Sequence, residues 1–243
     1  MSLAGRGIVV TRPRALAPGL AARIEGAGGR AILFPAIEIE DLPLPGVLQQ
    51  AESFDLAIFV SPTAVDKAAR DVRRWPRVAA VGAGTRQALE RRGISPVLAP
   101  QGEADSEALL ALRELQQVAG RRVLIVRGQG GRALLGDTLA ARGARVEYAE
   151  CYRRARPKAD VAPLLSSWTE GAIHAVTVNS GEALENLVAL LGDAGAVSLR
   201  ATPLFVPHER VAASATCLGV RQVIVAGPAD EQMVRRLVAY FSS

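Results

Sequence analysis

Cysteine is nearly absent. Cys151 and Cys217 stand far apart and outside any Cys-x-x-Cys spacing, which excludes a disulfide framework and a thiolate metal site. Both read as buried small apolar residues. Histidine is as scarce, and neither His174 nor His208 has acidic neighbours placed to complete a metal triad, so no metal is expected. No Gly-x-Ser-x-Gly elbow occurs, which leaves a hydrolase triad without support. Aromatic residues are 4% of the chain, too few for a stacking platform, and no basic block is long enough to track a phosphate backbone; a nucleic-acid partner is not expected. Lysine is almost missing: Lys67 and Lys158 are the exceptions among 29 basic residues, against 24 acidic ones. Arginine forks suit carboxylate or phosphate, although a GC-rich composition accounts for most of the excess. No run of about 18 apolar residues is free of charges or turn residues. The stretch Gly7 to Thr11, between arginines, is too short for a signal-peptide core. A cytoplasmic protein without a membrane partner is expected.

What is present is globular: 49% hydrophobic and 22% charged residues in a chain of 243, long enough for two modest domains. Short aliphatic runs alternate with helical patterns, as in "GIVVT" then "ALAPGLAARIEGAG", and "LAIFV" then "PTAVDKAARDV". Such βα repetition predicts α/β architecture, with parallel sheets flanked by helices. Asp105 and Asp230 read as N-caps of the helices that follow them. The chain also repeats itself. "GRGIVVTR" from Gly5 aligns with "GRRVLIVR" from Gly120, "VSPTAV" with "NSGEAL", "VAAVGAGTRQAL" with "PLFVPHERVAAS", and the Asp105 helix with the Asp230 helix. A simple tandem split falls near Gly120. Two segments differ, "ILFPAIEIED" (32–41) and "VEYAECYRRA" (146–155), which alternate apolar and polar residues. Alternation signals strands with one wet face, able to pair as an antiparallel ladder.

"RGQGGRA" reads Gly-x-Gly-x-x-Ala at Gly128, Gly130 and Ala133, with Glu147 downstream, a pattern resembling a dinucleotide fingerprint. The corresponding loop of the first repeat, "TRPRALAP", has no glycine pair, and a nicotinamide cofactor is not expected. A broader reading survives: small residues at strand-to-helix turns expose N–H groups that suit any anion. Ser61, Gly82, Thr85, Gly128, Gly131 and Ser180 stand at such turns, where N-capping is the competing role for each serine. His174 reads as structural. His208, in "VPHERVA", reads as a ligand-facing residue.

The ordered set "VTRP", "FPAIEIED", "FVSPTAV", "VGAGTRQAL", "RGQGGRALL", "YAECYRRARP", "TVNSGEAL" and "VPHERVAASA", spanning nearly all the chain, resembles the uroporphyrinogen-III synthase family. The resemblance implies two flavodoxin-like lobes joined by a two-stranded antiparallel connector. Lobe one takes residues 1–34 and 156–243, lobe two 40–147, and the connectors 35–39 and 148–155; this replaces the split near Gly120. Hinge opening is then expected. The resemblance further implies a cofactor-free lyase acting on hydroxymethylbilane. Water leaves ring A as an azafulvene forms, ring D attacks through a spiro intermediate, and the ring closes with D inverted to give uroporphyrinogen III. Tyr152 matches the family's connector tyrosine and is the implied proton donor to the departing hydroxyl, with cross-strand packing as its competing role. Arg12, Ser61, Gly82, Thr85, Arg132, Ser180 and His208 are the implied binding residues for substrate carboxylates, while Glu209 and Arg210 depart from the family's pattern. A transient contact with hydroxymethylbilane synthase and a monomeric state are further expectations. The competing reading is a non-catalytic two-lobed binding protein for a polycarboxylate.

Overall fold

The structure is a computed structural model that describes residues 2–69, 72, 74–101 and 105–242. Its strands are β1 (Gly7–Val10), β2 (Arg30–Leu33), β3 (Glu38–Asp41), β4 (Leu56–Phe59), β5 (Arg77–Ala80), β6 (Val97–Leu98), β7 (Arg122–Gly128), β8 (Arg145–Ala155), β9 (Ala175–Thr177), β10 (Leu204–Val206) and β11 (Val223–Val225). Its helices are α1 (Pro18–Gly26), α2 (Pro62–Ala68), α3 (Ala83–Glu90), α4 (Ser106–Leu110), α5 (Arg113–Gln116), α6 (Leu134–Ala141), α7 (Ala162–Thr169), α8 (Gly181–Ala201), α9 (Glu209–Cys217) and α10 (Asp230–Phe241). The chain forms two compact units, Met1–Glu38 with Ala155–Ser243, and Ile39–Arg154. Among the described residues no helix is long and apolar enough to cross a membrane.

The first unit holds a sheet ordered β2-β1-β9-β10-β11, with every adjacent pair parallel. Counted within the unit this is the flavodoxin order 2-1-3-4-5. "GIVV" is buried throughout because helices cover both faces of the sheet, so each alternate side chain meets apolar surface. On one face Ile8, Val10 and Phe205 pack with Leu20, Ile24 and Leu237. Helix α8 buries Leu184, Leu187, Leu191 and Leu199, and it breaks at Gly192, whose φ of +60° lies in the region glycine enters without strain.

The second unit holds the order β3-β8-β7-β4-β5-β6. Its parallel strands β8-β7-β4-β5-β6 occupy the same spatial positions as β2-β1-β9-β10-β11. The segments that align in the sequence repeat therefore stand at equivalent places, β1 with β7, β9 with β4, β10 with β5, but the chain visits them in permuted order. Phe59, Leu89, Leu124 and Val126 build one core face; Ile58, Leu109, Ile125 and Leu139 build the other. Edge strand β3 adjoins β8, with the Leu42 amide donating to the Cys151 carbonyl at 3.3 Å and Arg153 on Glu40 at 2.6 Å. Position numbers rise on β3 as they fall on β8, so this pair runs antiparallel.

Several expectations change. Residues 32–41 are two strands: Arg30–Leu33 joins the first sheet beside β1, and Glu38–Asp41 edges the second. Pro35 between them has no N–H to give a ladder. Asp105 caps α4, accepting from the Ala108 amide at 2.7 Å, whereas Asp230 is not a cap. Ala229 takes the extended N-cap backbone, and Gln232 reaches back to its amide at 3.1 Å. Asp230 occupies the first helical position, where its charge still faces the positive helix end. Cys217 is exposed, because it lies on the outer side of α9; Cys151 is buried. The helical pattern over residues 62–72 gives α2 as far as Ala68, while Arg70 and Asp71 lie outside the described residues.

Candidate functional site

Open α/β sheets present ligand crevices outside the carboxyl ends of the strands, where the strand order reverses. In the second unit the reversal lies between β7 and β4. The turn after β4 carries Ser61, whose extended backbone and side chain cap α2, with the Ala64 amide donating to its Oγ at 3.0 Å and Pro62 beginning the helix. The same oxygen stands 3.0 Å from Tyr152 Oη. Tyr152 comes from β8 and is 3% exposed. It arrives there through a bulge: β8 pairs Glu150 with Arg127 and Tyr152 with Gly128, leaving Cys151 as the extra residue. A regular strand would send Cys151 and Tyr152 to opposite faces; the bulge turns both into one core cluster with Ala149. Gly128 completes the arrangement by close approach, since a Cβ there would lie 2.6 Å from the tyrosine ring.

The turn that leaves β7 is braced by Arg127. Its guanidinium donates to the carbonyls of Gly131 at 2.8 Å and Arg132 at 3.3 Å, lies 3.3 Å from the Glu150 carboxylate, and stacks over Tyr148. Arg132 points outward, 68% exposed, and pairs with Glu107 at 2.8 Å. Gly82 is the extended N-cap residue of α3, without a side chain to cap it, and Thr85 is buried in the first turn of that helix. These residues gather at one edge of the second sheet.

At the matching edge of the first unit, between β1 and β9, the chemistry differs. Arg12 follows β1 and is largely enclosed. Its Nε donates to Asn179 Oδ1 at 2.8 Å, and Nη1 lies 2.5 Å from the Asp230 carboxylate. Beneath it the buried Thr11 and Thr177 hydroxyls donate to the carbonyls of Thr177 and Val9. Ser180 caps α8 with a backbone nearly identical to that of Ser61, accepting from Ala183 at 3.1 Å. His208 is the exposed N-cap residue of α9, equivalent to Gly82, and Glu209 and Arg210 beside it are exposed. His174 is structural: its Nδ1 accepts from the Gly7 amide at 3.1 Å, and its own amide donates back to the Gly7 carbonyl.

The structure thus joins Ser61 with Tyr152 directly and sets Gly82, Thr85 and Arg132 on the same edge, while Arg12, Ser180 and His208 share the edge of the other unit. Asn179, Arg127 and the pairing role of Asp230 escaped the sequence reading. The aligned "GRGIVVTR" and "GRRVLIVR" place Arg12 and Arg127 at the same repeat position, a signal that could have found Arg127. The dinucleotide pattern has a different explanation here. Gly128 makes room for a tyrosine, and Glu147 pairs with Arg122 opposite Leu124, roughly 13 Å along the strand from the Gly128 turn. Among the described residues no cluster of His, Cys, Asp and Glu could hold a metal ion. Burial pushes the Cys151 thiol up to about 11.

Known proteins resemble this chain in sequence and in fold. A family model described as uroporphyrinogen-III synthase HemD matches residues 19–235. The chain is similar to the uroporphyrinogen-III synthase of Escherichia coli K12, 38% identical over 241 residues that cover 94% of this chain and 98% of that one. It is similar also to a putative uroporphyrinogen-III synthase of Methanothermobacter thermautotrophicus, 31% identical over 76% of this chain and 78% of that one. Among solved structures, the enzyme from Helicobacter pylori 26695 has a TM-score of 0.64 at 14% identity, covering 97% of this chain and 99% of that one. A mutant of the Thermus thermophilus enzyme has a TM-score of 0.62 at 18% identity, with 98% and 99% covered; at such identities the likeness speaks for the fold alone.

Proposed function

This chain belongs to the uroporphyrinogen-III synthase family, and from that premise we propose how its residues divide the work. The reaction is that of a lyase: hydroxymethylbilane loses water and closes, with ring D inverted, to uroporphyrinogen III. The substrate carries its own electrophile once the hydroxyl leaves, so the protein must supply a proton at one point and hold a flexible polyanion elsewhere.

Tyr152 supplies the proton, and the observation that carries this assignment is its hydroxyl contact with Ser61 at the strand reversal of the second sheet. Gly82, Thr85 and Arg132 in the second unit, with Arg12, Ser180 and His208 in the first, receive the acetate and propionate groups through amides, hydroxyls and charge. Exposed Arg–carboxylate pairs contribute about 0 to 1 kcal/mol each, so affinity is a sum of weak contacts. The protein works in the cytoplasm as a monomer. Because the free bilane closes unaided to the I isomer, a transient contact with hydroxymethylbilane synthase would shorten its exposure to solvent.

The test is a coupled assay that generates hydroxymethylbilane in place and resolves isomer III from isomer I. Isomer III from the natural chain and a much slower yield from Tyr152→Phe are expected. A natural chain that yields isomer I alone would favour the non-catalytic carboxylate-binding reading.

A further inference from the structure

The phenol that the proposed function calls on belongs to a residue almost wholly enclosed by the protein. Tyr152 is 3% exposed, and the turn at Gly128 lies against its ring, so closely that a Cβ there would stand 2.6 Å from Cε2, 2.7 Å from Cζ and 3.1 Å from Oη. Among the described residues the hydrogen-bond partner of Oη is Ser61 Oγ, at 3.0 Å. Ser61 is half-buried and stands at the mouth of the turn after β4.

We infer that Ser61 is the group that touches the departing hydroxyl, and that Tyr152 acts through it as the second member of a proton relay. This rests on the reading of Tyr152 as proton source. A serine hydroxyl has two lone pairs and one proton. The Ala64 amide donates to one lone pair at 3.0 Å; the 3.0 Å contact with Tyr152 allows either hydroxyl to donate, and the relay takes the direction in which the phenol, the more acidic of the two, donates to the other lone pair. In that direction the serine proton is free of both partners and available to a group bound at the turn. The capping bond fixes the oxygen, and the bulge at Cys151 fixes the phenol behind it.

The step balances. The proton of Ser61 Oγ passes to the hydroxyl oxygen on ring A, the C–O bond breaks with its electron pair leaving in water, and the ring A methylene becomes an azafulvene cation. The Tyr152 proton moves to Ser61 Oγ, leaving a tyrosinate. After ring D has inverted and closed, the ring carbon that formed the last bond gives up one proton to Ser61 Oγ. Ser61 passes its own proton back to Tyr152. The sum is hydroxymethylbilane to uroporphyrinogen III and water, with both side chains restored.

Four variants test the relay: Ser61→Gly, Ser61→Thr, Tyr152→Phe and the Ser61→Gly/Tyr152→Phe double variant. Glycine is nearly as good an N-cap as serine, so it removes the hydroxyl while keeping α2 in place; thermal melting checks this. Ser61→Gly and Tyr152→Phe are each expected to lower kcat by about a hundredfold with KM little changed, and the double variant to be no slower than either. Ser61→Thr, which keeps a hydroxyl, should retain most of the rate. The natural protein should show a curved dependence of kcat on the deuterium content of the solvent, from two protons in flight, and each single variant a reduced isotope effect. Losses that multiply in the double variant, or a Ser61→Gly protein of natural kcat beside a slow Tyr152→Phe, would overturn the relay while leaving Tyr152 as proton donor. A natural rate for Tyr152→Phe would sink that reading, and the relay with it.

Discussion

The two strand-reversal sites share a scaffold and differ in chemistry. In each, a serine with φ near −160° caps the helix after the third strand of the flavodoxin order, Ser61 in one unit and Ser180 in the other. In each, an arginine stands at the carboxyl end of the first strand at the same repeat position, Arg12 just past β1 and Arg127 at the penultimate place of β7. Beyond that they part. Beside Ser180 stands a charged set, Arg12 held by Asn179 and Asp230. Beside Ser61 stands a buried phenol, admitted by a glycine and a bulge, while Arg127 braces backbone carbonyls. A duplicated fold need not duplicate its site: one copy sets a buried phenol against its capping serine, and the other sets an ion-paired arginine beside its own.

The strongest way to break this contrast is Gly128→Ala. The added methyl collides with the tyrosine ring, so a loss of kcat greater than that of Tyr152→Phe is expected, with destabilisation of about 1 to 3 kcal/mol from overpacking, read by kinetics and thermal melting. Next comes Tyr152→Phe, which should keep the core packed and hold stability within about 1 kcal/mol of the natural protein while slowing turnover. In the charged site Arg12→Ala should raise KM several-fold or more and leave kcat alone, since a charge-assisted contact made equally to substrate and transition state is uniform binding; a lower melting temperature should accompany it, because Asp230 loses its partner. Ser180→Ala sharpens the comparison further. It loses a cap worth about 1 kcal/mol, visible in melting, but has no phenol behind it, so kcat should not follow the fall expected for the hydroxyl-free Ser61 variant. The smallest effect concerns the thiols. Burial raises Cys151 from 9.0 to about 11, so the folded protein binds that proton more tightly than the unfolded chain. Its contribution is complete below pH 9 and fades as pH climbs toward 11. Cys151→Ala should flatten this alkaline decline, and a maleimide at neutral pH should label the exposed Cys217 first.

Much of the fold was legible because its signals are local. Buried parallel strands read as unbroken aliphatic runs, as in "GIVV" and "LAIF", and the aligned repeats marked equivalent strands. The misreadings came where one residue shifts a boundary. Pro35 divided a segment that looked like a single strand, and Asp230 moved one place into its helix to meet an arginine more than two hundred residues away in the chain. The site was legible in its residue types and not in its geometry. Glycine and serine at turns announce amides and caps, but the extra residue at Cys151 leaves no pattern of its own. Without that bulge Tyr152 would be assigned to the opposite face of β8, and Gly128 would remain half of a nucleotide motif.

The division of labour is tested most directly by measuring kcat and KM for Tyr152→Phe and Arg12→Ala in one isomer-resolved assay. A kcat about a hundredfold lower is expected for the first at near-natural KM, and a raised KM at natural kcat for the second. Equal falls in kcat for both variants would contradict that division.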